Sequence, residues 1–296
     1  MPQVNDENLD RLLWWMCERQ QIWRRRHLYE QPPPWTDDEI LANYRFCNVH
    51  RRLDAGTQYY LDEVDELRNH DEILLNTIVY RFFNRPETMR SLGGFQSVDE
   101  WDTDLAAESL HVLNQNNPVF SPAYRVSTQD WVGADNKIDN ILYGVIKNDL
   151  LNDLGGYVSR IIHADSMEES WERLQDLRGV GPFLAYELVT DLNYTVLPFT
   201  ENDFVNIGPG AEQGLEYIFE DIGPHNLRWL REYQEDLFTA HDKQFPYWEE
   251  KPELTLRDFE HSACEFATYM GIKRGEQSGR SYDTDDYFQT TFFDDH

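Results

Sequence analysis

Two places in the sequence combine residue types and spacing that suit chemistry. In Leu174-Gln175-Asp176-Leu177-Arg178-Gly179-Val180-Gly181-Pro182-Phe183-Leu184-Ala185 an apolar helical stretch runs into a Gly-x-Gly turn. A second helix starts at once with Pro182 in its first turn, where a missing N–H costs nothing. Glycine permits positive φ and a close backbone approach, and the amides that open the second helix are a natural phosphate site. Gly179, Val180 and Gly181 are therefore candidate phosphate contacts, and such a site needs no basic surface. A plain helical turn is the competing reading. Near the C-terminus His261 and Glu265 share a face at i, i+4, while Phe259, Ala263 and Phe266 belong to the core side. Such a pair serves acid–base chemistry, forms a fragment of a metal site, or merely stabilises its helix. Two ligands do not make a zinc site, so no metal and no cofactor is expected.

The elements that position these residues are helical throughout. Leu12, Leu13, Met16, Ile22 and Trp23 have helical spacing from Leu9 to about Tyr29, and Pro32, Pro33 and Pro34 stop that helix. Thr36 followed by Glu39 reads as a capping box. Further helices are expected at about 58–69, 71–84, 98–113, 136–153, 167–177, 182–191, 211–220, 225–239 and 255–270. A helix around residue 45 would bury Phe46, Val49 and Leu53 and set Arg45, Asn48 and Arg52 in a polar line beside them. Around residue 80, Leu75, Ile78, Val79, Phe82 and Phe83 pack, and Thr77, Arg81 and Asn84 form a second polar line. Polar lines in apolar helices need partners, so each is either a buried hydrogen-bond network or the wall of a substrate pocket. No strand alternation, fixed-period repeat or long polar linker stands out. The expected fold is all-α, one helical body over residues 1–296 with its hairpin at about 167–191. From Gly275 onward an irregular acidic tail is expected to pack through Tyr282, Tyr287 or Phe292.

Composition narrows the setting. The chain holds 55 Asp and Glu against 26 Lys and Arg, a net charge of -29, with the excess spread along its length. Such self-repulsion is relieved when molar salt cuts the Debye length to about 3 Å, so a high-salt cytoplasm is the expected home. Generic attraction to nucleic acid is excluded, because phosphate neutralisation requires cations. The Arg24–Arg26 run, the Arg51–Arg52 pair and the cluster of Arg81, Arg85 and Arg90 all lie in the first third. Cys17, Cys47 and Cys264 form neither a C-x-x-C pair nor a zinc-finger spacing and read as buried thiols. No run approaches the roughly 20 apolar residues of a membrane span.

The Gly179-Val180-Gly181 turn with Leu177, Pro182, Leu184 and Ala185 is a helix-hairpin-helix signature, and its context resembles the helix-hairpin-helix DNA glycosylases. At the interval where those enzymes carry a catalytic Asp, this chain has Asp203, in Glu201-Asn202-Asp203-Phe204-Val205 before Gly208-Pro209-Gly210-Ala211. A helix cap is the bland reading of that residue. The hairpin lacks the Lys of lyase-type members, which argues against Schiff-base chemistry. The four-cysteine cluster of some glycosylases is missing as well.

The Asp203–Ala211 block resembles a second, more specific family together with Trp35-Thr36-Asp37-Asp38, Ile40-Leu41, Tyr44-Arg45-Phe46-Cys47-Asn48-Val49, Arg52, Asp54 and Thr57. Ile78 to Asn84, Ala123-Tyr124, Phe259-Glu260-His261 and Cys264-Glu265-Phe266 match it too. The chain is similar to the α-glutamyl/putrescinyl thymine pyrophosphorylases, also described as the helical domain of 5-hydroxymethyluracil DNA kinase, over about residues 30–275. That resemblance implies modification of a 5-substituted uracil in DNA through phosphate- or pyrophosphate-activated transfer. Asp203, His261 and Glu265 would be catalytic, and Arg45, Asn48, Arg81 and Asn84 would bind substrate. Gly179, Val180, Gly181, Arg51 and Arg52 would meet DNA. The chain has no G-x-x-x-x-G-K-[ST] loop, so a separate kinase or transferase is an expected partner. A monofunctional glycosylase and a DNA-binding recruiter without catalysis are the alternatives.

Overall fold

The computed structural model describes residues 3–122, 126, 128–220 and 254–282. These are mainly helical, as expected. Among them a two-stranded antiparallel ladder pairs β1 (Gln3–Val4) with β2 (Phe219–Glu220). Among the described residues no helix is long and apolar enough to cross a membrane. The chain divides into two compact units, Met1–Asp54 with Ile207–His296, and Ala55–Asn206.

The discontinuous unit opens with α1 (Asp6–Trp23), which buries Leu12, Leu13, Trp15, Met16 and Ile22 and loosens into π-type turns over Arg24–Leu28. Helix α2 (Glu39–Asn43) is capped by Asp38, whose carboxylate accepts the amides of Ile40 and Leu41 at 3.0 and 2.9 Å. The expected Thr36 cap is thus displaced, and its hydroxyl accepts the Asp38 amide instead. A carboxylate beside the first turn is both acceptor and dipole partner, so it makes the better cap.

The helix expected around residue 45 does not form. Tyr44 is extended and bridges to Ser281, and the Arg45 amide donates to the Arg280 carbonyl at 2.7 Å. The Cys47 and Asn48 amides donate to the carboxylates of Glu265 and Asp54. With these amides satisfied from elsewhere, the segment has no need of i−4 carbonyls. Helix resumes only as a 3-10 turn, Arg51–Leu53.

The continuous unit runs through α3 (Ala55–Val64), α4 (His70–Phe83), α5 (Pro86–Ser91) and α6 (Thr103–Leu113). Next come α7 (Lys137–Asp139), widening into π-type turns over Asn140–Leu150, then α8 (Leu154–Ile162), α9 (Met167–Leu174) and α10 (Pro182–Asn193). Helix α4 is buried from Ile73 to Phe83 and packs on α8 and α10. Its polar line is a network: Thr77 meets the Tyr60 hydroxyl at 2.8 Å, and Arg81 forms a two-pronged ion pair with Asp191 of α10. Arg81 also donates to Asn84 at 2.8 Å, and Asn84 ends the helix in the left-handed region, φ 51°. Helices α5 and α8 were not expected. The first starts on Pro86 at N1, and the second begins at Leu154, where the helix expected at about 136–153 ends.

The first unit resumes with α11 (Pro209–Ile218) and α12 (Leu256–Arg274). These two helices lie so close that a Cβ on Gly214 would fall on the Ala263 carbonyl, which makes glycine obligatory there. Thr255 and Asp258 form a reciprocal capping box at the start of α12. Of the expected tail anchors, Tyr282 sets its ring 6.1 Å from that of Trp35. Tyr287, Phe292, Ala123-Tyr124 and the helix expected at 225–239 lie outside the described residues.

Candidate functional site

In the discontinuous unit the chemistry gathers where residues 44–54 meet α12. Glu265 Oε2 accepts the Cys47 amide at 3.0 Å, and Asp258 Oδ1 accepts the Arg51 amide at 3.1 Å. Asp54 Oδ1 accepts the Asn48 amide at 2.8 Å, while the Asn48 side chain donates to the Leu53 carbonyl. Arg19 of α1 completes the frame by donating twice to the Phe46 carbonyl. Three carboxylates therefore clamp one loop through its amides. His261 points into the same place, with Nε2 3.8 Å from Asp54 Oδ2. Among the described residues Cys47, Asp54 and His261 offer one ligand atom each, all within 4.8 Å of one another.

Electrostatics follow from that geometry. Burial pushes Asp54 up to about 6, against the pull of the Asn48 amide and of Arg19 and Arg51. Burial also raises Glu265, and burial with the charges of Glu265 and Asp54 holds the Cys47 thiol well above its ordinary value. Asp258 behaves oppositely. Burial opposes its charge, yet His50, 3.5 Å away, and the amides of Arg51 and Thr255 bring it below the usual carboxylate range.

The residues expected to act here fare differently. Arg45 and Arg52 are exposed, Asn48 and Arg51 are buried, and His261 and Glu265 are partly buried on α12. Cys47 was passed over as a buried thiol, because ligand spacing in sequence gives no hint of partners drawn from α12.

In the continuous unit α9 is followed across a short turn by α10, over the stretch where the hairpin is expected. Gly179 is left-handed at φ 79°, and a Cβ there would lie 2.6 Å from the indole of Trp131, so glycine is required twice over. Gly181, by contrast, caps α10 at φ -91°, and a Cβ on it would meet nothing within 4 Å. Val180 is buried, Pro182 opens α10, and Phe183 stands 49% exposed beside it. The Trp171 indole donates to the Pro182 carbonyl at 2.9 Å and fixes the turn to α9. Asp203 follows close by, because its neighbour Phe204 is buried against Trp171 and Tyr186, with ring centroids 5.1 and 6.0 Å away. Asp203 Oδ2 accepts the Thr200 amide at 2.8 Å, closing a short turn. It is not the cap of α11, a position held by Gly208. Trp131 and Phe204 are the supporting residues that the sequence did not single out. Arg81 and Asn84 sit in the network already described, where the Arg81 guanidinium holds α4 to α10.

The model of the 5-hmdU DNA kinase helical domain matches residues 6–279. A protein of Bacillus phage SP10 named 5-hmdU DNA kinase is 32% identical over 292 residues, covering 90% of this chain and 45% of the phage protein. The chain thus spans about half the length of that relative. No solved structure matches it significantly.

Proposed function

Because the chain belongs to the 5-hmdU DNA kinase helical-domain family, we propose that it recognises 5-hydroxymethyluracil in DNA and takes part in activating that base as a phosphate or pyrophosphate ester. The family match over residues 6–279 carries this reading. The hairpin supports a helix-hairpin-helix, glycosylase-like mode of holding DNA: the amides opening α10 take a backbone phosphate, and the open space at Gly181 lets the strand approach. A base to be modified must leave the stack to reach a catalytic group. In this reading Asp203, on the rim of the hairpin, accepts the proton of the 5-hydroxymethyl group as its oxygen attacks phosphorus. His261 and Glu265 are the second candidate acid–base pair. Exposed Arg45 and Arg52 serve as phosphate contacts, with buried Asn48 and Arg51 shaping the loop that carries them. Arg81 and Asn84 support the substrate side by fixing α4 to α10.

The phosphoryl donor is assigned to a partner kinase or transferase, since the sequence has no G-x-x-x-x-G-K-[ST] loop. The same observation favours a second reading, in which the chain only binds modified DNA and recruits the enzyme. Duplexes carrying thymine, 5-hydroxymethyluracil or its phosphate ester, incubated with the protein, ATP and magnesium and digested for nucleoside mass analysis, separate the readings. A new nucleoside from the 5-hydroxymethyluracil duplex supports modification, and selective binding without product supports recruitment. Release of free base would identify a glycosylase instead, and equal indifference to all three duplexes would sink the proposal.

A further inference from the structure

We infer that Cys47, Asp54 and His261 form a binding site for a zinc-class divalent cation, in which the thiolate, one carboxylate oxygen and the imidazole are the protein ligands. The donor set decides the ion. A thiolate with an imidazole selects zinc over magnesium or calcium, and a carboxylate is a common third ligand in zinc sites. At bond lengths of about 2.0–2.3 Å, tetrahedral ligand atoms stand about 3.3–3.7 Å apart. The separation of His261 Nε2 from Asp54 Oδ2, 3.8 Å, is already close to that, and all three ligand atoms lie within 4.8 Å of one another.

The surroundings are arranged for the same task. Residues 44–50 and the 3-10 turn after them are held by Glu265, Asp258 and Arg19, which places Cys47 and Asp54 before any ion arrives. Glu265 receives the Cys47 amide, so it acts as a positioning residue for the sulfur ligand, and it shares the i, i+4 face of α12 with His261. The side chains of Asp54 and His261 are 24% and 18% exposed, which leaves an entry path. Three protein ligands leave the fourth position to water. On binding, the Cys47 thiol gives up its proton to solvent and the sulfur lone pair enters the metal bond.

Full-length protein, stripped with a chelator and titrated with cobalt(II), tests the assignment, because thiolate-to-cobalt charge transfer distinguishes Cys47 from the many surface carboxylates. One equivalent with a charge-transfer band is expected, displaced by zinc. Cys47→Ser should abolish the band, His261→Gln and Asp54→Asn should each weaken binding, and Cys17→Ser and Cys264→Ser should leave both unchanged. Glu265→Gln should weaken affinity by about 10–100-fold, as loss of an outer partner does. Circular dichroism of each stripped variant checks folding, and zinc should raise the melting temperature of the unmodified protein but not of Cys47→Ser. Absence of the band in folded wild type, or a band that survives Cys47→Ser, overturns the inference.

Discussion

The loop clamp on α12 and the α9–α10 hairpin solve opposite electrostatic problems in one acidic chain. In the clamp, side-chain carboxylates reach backbone amides and consume them, leaving a thiol, an imidazole and spare carboxylate oxygens as the chemically active surface. In the turn between α9 and α10, glycine and aromatic packing shape the backbone, with Gly179 left-handed against Trp131 and the Trp171 indole donating to the Pro182 carbonyl. The first collects electron-pair donors and suits a cation. The second is proposed to offer the amides that open α10 to a backbone phosphate. A net charge of -29 therefore does not decide what either region binds, because local geometry selects which atoms face outward.

The sharpest break of this comparison is Asp203→Asn, which keeps shape and removes charge beside the hairpin. If Asp203 is the general base, turnover on 5-hydroxymethyluracil DNA should fall about 10²–10⁴-fold while DNA affinity holds or rises. Unchanged turnover would leave Asp203 as a turn residue and move the role to Glu265. Next comes Arg81→Leu, which strands buried Asp191 and should cost about 3–5 kcal/mol in denaturant unfolding. A folded, fully stable variant that has lost DNA binding would restore Arg81 to the substrate pocket.

The two hairpin glycines should then part company. Gly179→Val forces a β-branched residue into left-handed backbone against Trp131 and should destabilise by about 2–4 kcal/mol. Gly181→Val meets open space and should cost only about 1 kcal/mol, the loss expected for a poorer helix cap. It should nonetheless weaken DNA binding without altering base preference, and equal affinity in a fluorescence titration would remove the hairpin from the interface. The clamp has an acid response of its own. Because Asp258 is depressed in the folded protein, its contribution is present above the ordinary carboxylate range and disappears as pH falls through its folded value. Asp258→Asn should cost about 1–2 kcal/mol near neutrality, and the gap in melting temperature from wild type should close on acidification. A gap that stays constant with pH would assign the loss to packing.

The turn between α9 and α10 was legible because its signals are local. Gly179, Gly181 and Pro182 lie within four consecutive positions. Helix α4 was legible for the same reason, since Ile78, Val79, Phe82 and Phe83 repeat with helical period. The clamp was not legible. Phe46, Val49 and Leu53 imitate a helix face, and only amide acceptors more than two hundred positions away reveal that the backbone is extended there. His261 and Glu265 were recognised as a pair, but their partners Cys47 and Asp54 come from that misread loop. The shift of the α2 cap from Thr36 to Asp38 is a smaller error of the same kind, with two plausible caps two residues apart and geometry choosing between them.

The split make-up of the first unit also fixes an order of events during synthesis. Residues 55–206 are contiguous, so that unit holds all its elements once α10 and the turn around Asp203 have emerged. The clamp must wait, because the Cys47 amide is joined to Glu265 across 218 positions and the Arg51 amide to Asp258 across 207. Until α12 arrives, those amides have only water as acceptor, and α1 lacks one of the helices it packs against. Contacts of such long sequence separation are slow to close. Completion of the Cys47, Asp54 and His261 cluster is therefore a late step, and a nascent chain stalled before Leu256 would carry a formed hairpin beside an unfinished first unit.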